Sequence, residues 1–260
     1  MLKAVLQAVH IAGEKILEVY NSDDFAIETK DDDSPLTRAD RLAHEILTEK
    51  LVALECGPVL SEEDADIPWS ERKNWVKYWL VDPLDGTKEF IKRNGEFTVN
   101  VAYVEDGVPT LGVVYAPDKS LLYYGSKEAG AFKKIGNDKA FSISPARLPS
   151  KDKKWRIIGS RSHSSEDFDS FIAKFGNADL VSMGSSLKLC MVADGSADLY
   201  PRLIPTSEWD TAAAQAVVEA AGGKVLNWET KQPLRYNTKE NLLNPYFVVC
   251  AEESEVWLDN

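Results

Sequence analysis

The stretch Trp79-Leu80-Val81-Asp82-Pro83-Leu84-Asp85-Gly86-Thr87-Lys88-Glu89-Phe90 decides how the rest of the chain is read. It begins as a buried apolar strand, stops on the Asp82 carboxylate, turns through Pro83 and Gly86, and presents a second carboxylate and a hydroxyl. Strand ends of this kind are where α/β proteins place their sites. Asp82 and Asp85 can converge across the turn while the Leu84 carbonyl points into the same space, and that set of oxygens suits a hard cation such as Mg²⁺. Two carboxylates so close raise each other's pKa unless a cation neutralises them, so the segment implies a metal or a shared proton. Asp, Pro and Gly are also the usual residues of a polar turn, and the segment alone does not separate the two readings.

The chain has 260 residues, enough for one large domain or two smaller ones, with 44% hydrophobic and 28% charged residues, the balance of a soluble globular protein. A formal charge of −12 argues against a nucleic acid polymer as partner, because no excess of cations would displace its counterions. A small anionic substrate stays compatible if metal ions supply the positive charge. Cys56, Cys190 and Cys250 are far apart and have neither zinc-ligand nor disulfide-framework spacing, so they read as buried reduced thiols. No apolar run approaches the ~18 residues that span a bilayer. Glu14, Lys15 and Glu18 interrupt the start where a signal peptide is apolar, which points to the cytoplasm.

Taken in order, Leu2, Val5, Leu6, Val9, Ile16, Leu17 and Tyr20 recur at helical spacing, with His10 packed on or near that stripe. A charged loop, Lys30 to Pro35, leads to Thr37, which can cap a second helix with Asp40 in a capping-box position. By itself that gives Asp40 a sufficient structural role. Pro58-Val59-Leu60 reads as a short strand ended by Ser61-Glu62-Glu63-Asp64, so Glu62 and Asp82 are expected at the ends of neighbouring strands. Glu62, Asp82 and Asp85 in one place carry too much negative charge to coexist without divalent cations. Residues 97–132 alternate as a β-meander, with Asp106-Gly107 as a hairpin signal.

A polar stretch with Pro145 and Pro149 suggests a boundary between an N-terminal α+β domain, 1–143, and a C-terminal α/β domain, 144–260. In the second half, Trp155–Ile158 is a strand, and Gly184-Ser185-Ser186-Leu187-Lys188 opens a helix. The free N–H groups, two hydroxyls and Lys188 make that start a phosphate cradle, or simply a good N-cap. Glu208-Trp209-Asp210 leads into a helix over Ala212–Ala221, where Asp210 reads as an N-terminal cap.

In that order, Ser61-Glu62-Glu63, Asp82-Pro83-Leu84-Asp85-Gly86-Thr87, and Trp209-Asp210 with Ala212-Ala213 and Ala221-Gly222-Gly223 resemble the inositol monophosphatase superfamily of lithium-sensitive magnesium phosphatases over nearly the whole chain. Thr87 to Phe90, Gly184 to Lys188 and Tyr200-Pro201-Arg202 resemble its bacterial 3′(2′),5′-bisphosphate nucleotidase branch. The resemblance implies a layered α-β-α-β-α sandwich and two or three Mg²⁺ ions. Glu62, Asp82 and the Leu84 carbonyl would hold one ion, and Asp82, Asp85 and Asp210 a second. Thr87 and Asp40 would orient and deprotonate the attacking water. Gly86, Ser160 to His163, Gly184, Ser185, Ser186, Lys188 and Arg202 fall where the nucleotidases hold the nucleoside and its second phosphate. The implied substrate is a small bisphosphate nucleotide of sulfur assimilation, and weak peripheral association with the inner membrane stays compatible. The loop between Glu62 and Asp82 is slightly longer than the family pattern, which leaves Glu63 as a competing ligand.

The nearest rival is a phosphatase of the same fold acting on inositol phosphate or fructose bisphosphate; Lys188 and Arg202 disfavour it, because a second phosphate gives two cations a reason to be there. An inactive nucleotide sensor would lack one of the acids or Thr87, and all are present.

Overall fold

The apolar stripe Val5, Ala8, Val9, Ala12, Ile16 and Val19 turns the first segment into helix α1 (Leu2–Tyr20), which buries that stripe. The computed structural model describes residues 1–22, 25–29, 35–150, 152–159, 166–176 and 178–258. His10 lies edge-on against Tyr115, with ring centroids 4.6 Å apart, as a packed helix residue. A two-residue ladder of β1 (Glu28–Thr29) and β2 (Pro35–Leu36) precedes α2 (Arg38–Val52). Helix α2 opens on Thr37 and Asp40, which form the expected reciprocal capping box.

The larger sheet runs in chain order: β3 (Val59–Ser61), β4 (Lys77–Asp85), β5 (Thr98–Glu105), β6 (Val108–Ala116), β7 (Leu121–Ser126), β8 (Gly130–Ile135) and β9 (Phe141–Ser142). Only β3 and β4 are parallel, joined by a crossover that holds the short helix α3 (Trp69–Arg72). Helix α4 (Thr87–Ile91) follows β4 directly. The second half builds β10 (Arg156–Gly159), α5 (Glu166–Ala173), β11 (Asp179–Ser182), α6 (Leu187–Ala193), β12 (Leu199–Arg202), α7 (Ala212–Ala220), β13 (Lys224–Asn227), β14 (Phe247–Cys250) and α8 (Glu255–Leu258). Its sheet order is β11-β10-β12-β14-β13, parallel as far as β12 and antiparallel beyond.

Successive strand residues point to opposite faces, and β4 and β5 are apolar on both. Trp79, Val81, Val99 and Val101 pack with α1 and α2 on one side. Leu80, Ala102 and Val114 pack on the other side with α6 and α7, which are shared with Ile158 and Val249 of the smaller sheet. The outer face of that sheet, Ile157, Leu199 and Val248, is covered by Phe171 of α5 and Trp257 of α8. The layers are therefore helix, sheet, helix, sheet, helix, which is the expected sandwich. Among the described residues, no helix is long and apolar enough to cross a membrane.

Helix α7 lies directly on β6 because Gly112 has no side chain. A Cβ there would stand 2.0 Å from the Ala213 carbonyl oxygen and 2.8 Å from the Ala216 Cβ. Gly112→Ala should therefore force helix and sheet apart and lower stability by roughly 1–3 kcal/mol, the usual cost of overpacking. Urea unfolding measures this, and an unchanged midpoint would contradict the close approach.

Candidate active site

Strand β4 does not stop at Asp82, as the sequence suggests, but runs on to Asp85. Asp82 pairs with Asn100 and Asp85 with Thr98, so three residue steps on β4 oppose two on β5. Strand alternation alone would put residues three apart on opposite faces; the extra residue is a β-bulge, which returns both carboxylates to one side. Pro83 suits this place because a bulge leaves a backbone group out of the ladder. Gly86 then takes φ 93°, a conformation glycine reaches without strain, and turns the chain sharply into α4.

That turn sets Thr87 over the bulge. Its hydroxyl has one proton and two acceptors, Asp40 Oδ1 at 3.2 Å and the Leu84 carbonyl at 3.3 Å. The other Asp40 oxygen, Oδ2, accepts from the Thr37 N–H at 2.7 Å and the Thr37 hydroxyl at 2.5 Å. The capping role and the pairing with Thr87 therefore coexist, one on each oxygen. Glu62 follows β3, and its N–H donates to the Val81 carbonyl at 3.0 Å, which sets it beside Asp82. Asp210 lies in a separate 3-10 turn, Glu208–Asp210, ahead of α7, and its Oδ2 accepts from the Ser207 N–H at 2.8 Å.

Burial raises Asp82, Asp85 and Asp210, and for Asp82 and Asp210 the neighbouring acids add to it. Burial, then Glu62, Asp85 and Asp210, hold the Asp82 carboxyl well above the usual carboxylate range. Burial also raises Asp85, opposed by the Lys188 charge and the Ser186 N–H. Burial, Asp85 and Glu62 push Asp210 up to about 8, with the Ser207 N–H and Arg202 working the other way. Each charge is disfavoured by desolvation and by like charges at once.

Among the described residues, no three Asp, Glu, His or Cys side chains already stand as a finished cation cage. Asp82, Asp85 and Asp210 each turn one oxygen to a backbone N–H, of Leu84, Ser186 and Ser207 respectively. The chemistry of the set nevertheless fits a small hard cation: the donors are all oxygen, from one buried and three half-buried carboxylates, and short of positive charge.

The start of α6 differs from the expected phosphate cradle, because its donors are taken by the other half of the molecule. The Gly184 N–H donates to Glu96 Oε2 at 2.8 Å and the Ser186 N–H to Asp85 Oδ2 at 2.5 Å. The Ser186 hydroxyl donates to Asn100 Oδ1 at 2.7 Å and lies 2.9 Å from the Thr98 hydroxyl. Ser186 is a clip between the halves. Ser185, at φ 48°, keeps a buried hydroxyl with no hydrogen-bond partner among the described residues, and Arg202 Nε is in the same condition. Asp85, Ser185, Lys188, Tyr200, Arg202 and Asp210 line one cavity of about 60 Å³. Ser160 to His163 lie outside the described residues.

Glu96, Thr98 and Asn100 join the site without having been singled out from sequence. For two of them the signal was available: Thr98 and Asn100 are polar residues on a strand that is apolar from Val101 to Val104.

The model of the inositol monophosphatase family matches residues 1–256. The chain belongs to the inositol monophosphatase family. It is 46% identical over 251 residues to the 3′(2′),5′-bisphosphate nucleotidase CysQ of Salmonella typhimurium, covering 96% of this chain and 99% of that protein. The Escherichia coli protein of the same name is 45% identical over the same coverage. Among solved structures, CysQ of Bacteroides thetaiotaomicron superposes with a TM-score of 0.84 at 44% identity, covering 96% of this chain and 97% of that one. An inositol monophosphatase of Thermotoga maritima shares the fold, with a TM-score of 0.75 at 23% identity over 96% of this chain and 91% of its own.

The two serines separate by experiment. Ser186→Ala should strand Thr98 and Asn100 and cost about 1–3 kcal/mol, whereas Ser185→Ala removes a hydroxyl with no hydrogen-bond partner among the described residues. Thermal unfolding of both variants checks this. Equal losses would contradict the division between clip and unpartnered hydroxyl.

Proposed function

We propose that this chain is a Mg²⁺-dependent 3′(2′),5′-bisphosphate nucleotidase that removes the 3′-phosphate of 3′-phosphoadenosine 5′-phosphate, leaving AMP, in sulfur assimilation. The sulfated form of the same nucleotide is a second candidate substrate. The bacterial relatives of that name, similar along nearly their full length, support the reaction class. One observation carries the substrate reading: Lys188 and Arg202 line the same cavity as Asp85 and Asp210, so a second phosphate finds its own cations beside the acidic cluster.

In this reading Glu62, Asp82 and the Leu84 carbonyl would hold one ion, and Asp82, Asp85 and Asp210 another. Bound there, Mg²⁺ supplies the positive charge that a dianionic phosphate needs and lowers the pKa of water. The protein's own contribution is geometric. With its proton directed to Asp40 Oδ1, the Thr87 hydroxyl turns a lone pair outward to accept the proton of an attacking water, and Asp40 takes that charge. Asp40 can do so because its second oxygen is fixed by Thr37. In-line displacement by water follows: the new bond to phosphorus forms as the bond to the ribose oxygen breaks, and that oxygen leaves with a proton from water; among the described residues lining the cavity none is a Cys or His that could form a phosphoenzyme. Ser185 contributes a hydroxyl to the uncleaved phosphate, with Lys188 and Arg202.

The test is phosphate release from 3′-phosphoadenosine 5′-phosphate and from inositol 1-phosphate, with Mg²⁺ and with EDTA, in wild type and in Lys188→Ala. Release should stop in EDTA. Lys188→Ala should raise KM for the bisphosphate by the equivalent of roughly 1.5–3 kcal/mol, one charge-assisted hydrogen bond, with kcat changing less. The monophosphate, with no second phosphate to hold, should respond less. Equal losses on both substrates would mean that Lys188 serves Asp85 rather than a phosphate, and the nucleotide reading would lose its main support.

A further inference from the structure

Between Glu62 and Asp82 the chain makes the crossover that carries α3, and its last residue, Arg72, is 3% exposed. A guanidinium is buried only where acceptors surround it. These acceptors belong to the other half of the molecule. Arg72 Nη1 donates to Asn237 Oδ1 at 2.7 Å and to the Lys239 carbonyl at 3.2 Å, and Nη2 donates to the Glu240 carbonyl. Asn237 returns a bond from its Nδ2 to the Arg72 carbonyl at 2.6 Å. The plane of Trp69 closes one side, with the guanidinium carbon 4.9 Å from the ring centroid.

The segment that Arg72 grips holds in turn the turn that carries Asp210. The Asn237 N–H donates to Glu208 Oε2 at 2.8 Å, and the Glu208 N–H donates to the Leu242 carbonyl at 2.8 Å. Asn244 Nδ2 donates to the Ser207 carbonyl at 2.7 Å and to the Thr211 hydroxyl at 3.0 Å, bracketing Asp210 from both sides. A continuous set of hydrogen bonds therefore joins the loop between two acids of the N-terminal half to the acid of the C-terminal half.

We infer that Arg72 is a positioning residue, which through Asn237 and Glu208 sets where Asp210 stands relative to Glu62 and Asp82. The inference rests on the proposed metal-binding reading of these acids. Nothing in the sequence spacing marks Arg72, because its partners are 165 or more residues away. Lysine cannot replace it: an ammonium is a point charge and does not reach three separate acceptors as a planar fork does.

The test is calorimetric titration of the substrate-free protein with Mg²⁺ alone, for wild type, Arg72→Lys, Asp210→Asn and the double variant, with melting curves for each. Arg72→Lys should weaken Mg²⁺ binding on the order of tenfold, as loss of an outer partner of a metal ligand does, and added Mg²⁺ should restore kcat. In the Asp210→Asn background the same change should do much less, since the ligand it positions is already lost. A folded Arg72→Lys protein that binds Mg²⁺ as wild type does, or losses that multiply in full, would overturn the inference and leave the metal reading standing. If Asp210→Asn itself leaves Mg²⁺ binding unchanged, the metal reading of Asp210 fails first. Should Arg72→Lys not fold, Asn237→Ala carries the same test, because it removes the side chain by which Arg72 holds residue 237, whose backbone N–H reaches Glu208.

Discussion

Like charges forced together out of water govern this molecule. Asp82 and Asp210 stand where burial and the charges of Glu62 and Asp85 both favour their protonated forms, and burial raises Asp85 as well. A fold holds such a group only if the backbone leaves it no alternative. The bulge in β4 does this for Asp82 and Asp85, and the parallel partner β3 does it for Glu62. Asp210 arrives from the far side of the sandwich, on a turn fixed by its own capping box.

The chemistry then depends on how rigidly the two halves are joined. They share the layer of α6 and α7, whose apolar residues supply much of the common core. Polar clips add direction to that contact. Glu96 holds Gly184, while Thr98, Asn100 and Asp85 hold Ser186, so the cavity with Lys188 and Arg202 is built against the acids rather than beside them. The same closeness sets the cations against the acids. Lys188 opposes the raised pKa of Asp85, and Arg202 opposes that of Asp210, before any phosphate is considered.

What could be read from sequence was what short-range chemistry dictates. The stripe of α1, the Thr37 and Asp40 box, the meander and the helix after Asp210 all follow from local spacing, and all are present. The placing of Glu62 and Asp82 at the ends of neighbouring strands was legible because each follows an apolar run, whereas Asp210 reads from its spacing as a cap and joins them only through the family resemblance. The bulge was not, since Pro83 and Gly86 read equally well as a turn, and only pairing with Asn100 and Thr98 distinguishes them. The clip role of Ser186 was not legible for a similar reason. A serine at a helix start looks like a phosphate donor, and its commitment to Thr98 and Asn100 is a contact across more than eighty residues. Arg72 was invisible for the same cause.

The central claim, that the acidic cluster is folded around positive charge it does not itself possess, is tested most directly by thermal unfolding between about pH 6.5 and 8.5, with EDTA and with Mg²⁺. Asp210 is pushed up to about 8 and Glu208 to about 7, and Asp82 and Asp85 are raised as well. The unfolded chain releases these protons near about pH 4, so across the window the native state binds more protons than the unfolded one. Stability in EDTA should therefore fall as pH rises through the native values, and Mg²⁺ should raise the midpoint most at the alkaline end, flattening the slope. A midpoint in EDTA that does not fall with pH, together with no shift on adding Mg²⁺ at the alkaline end, would contradict the account.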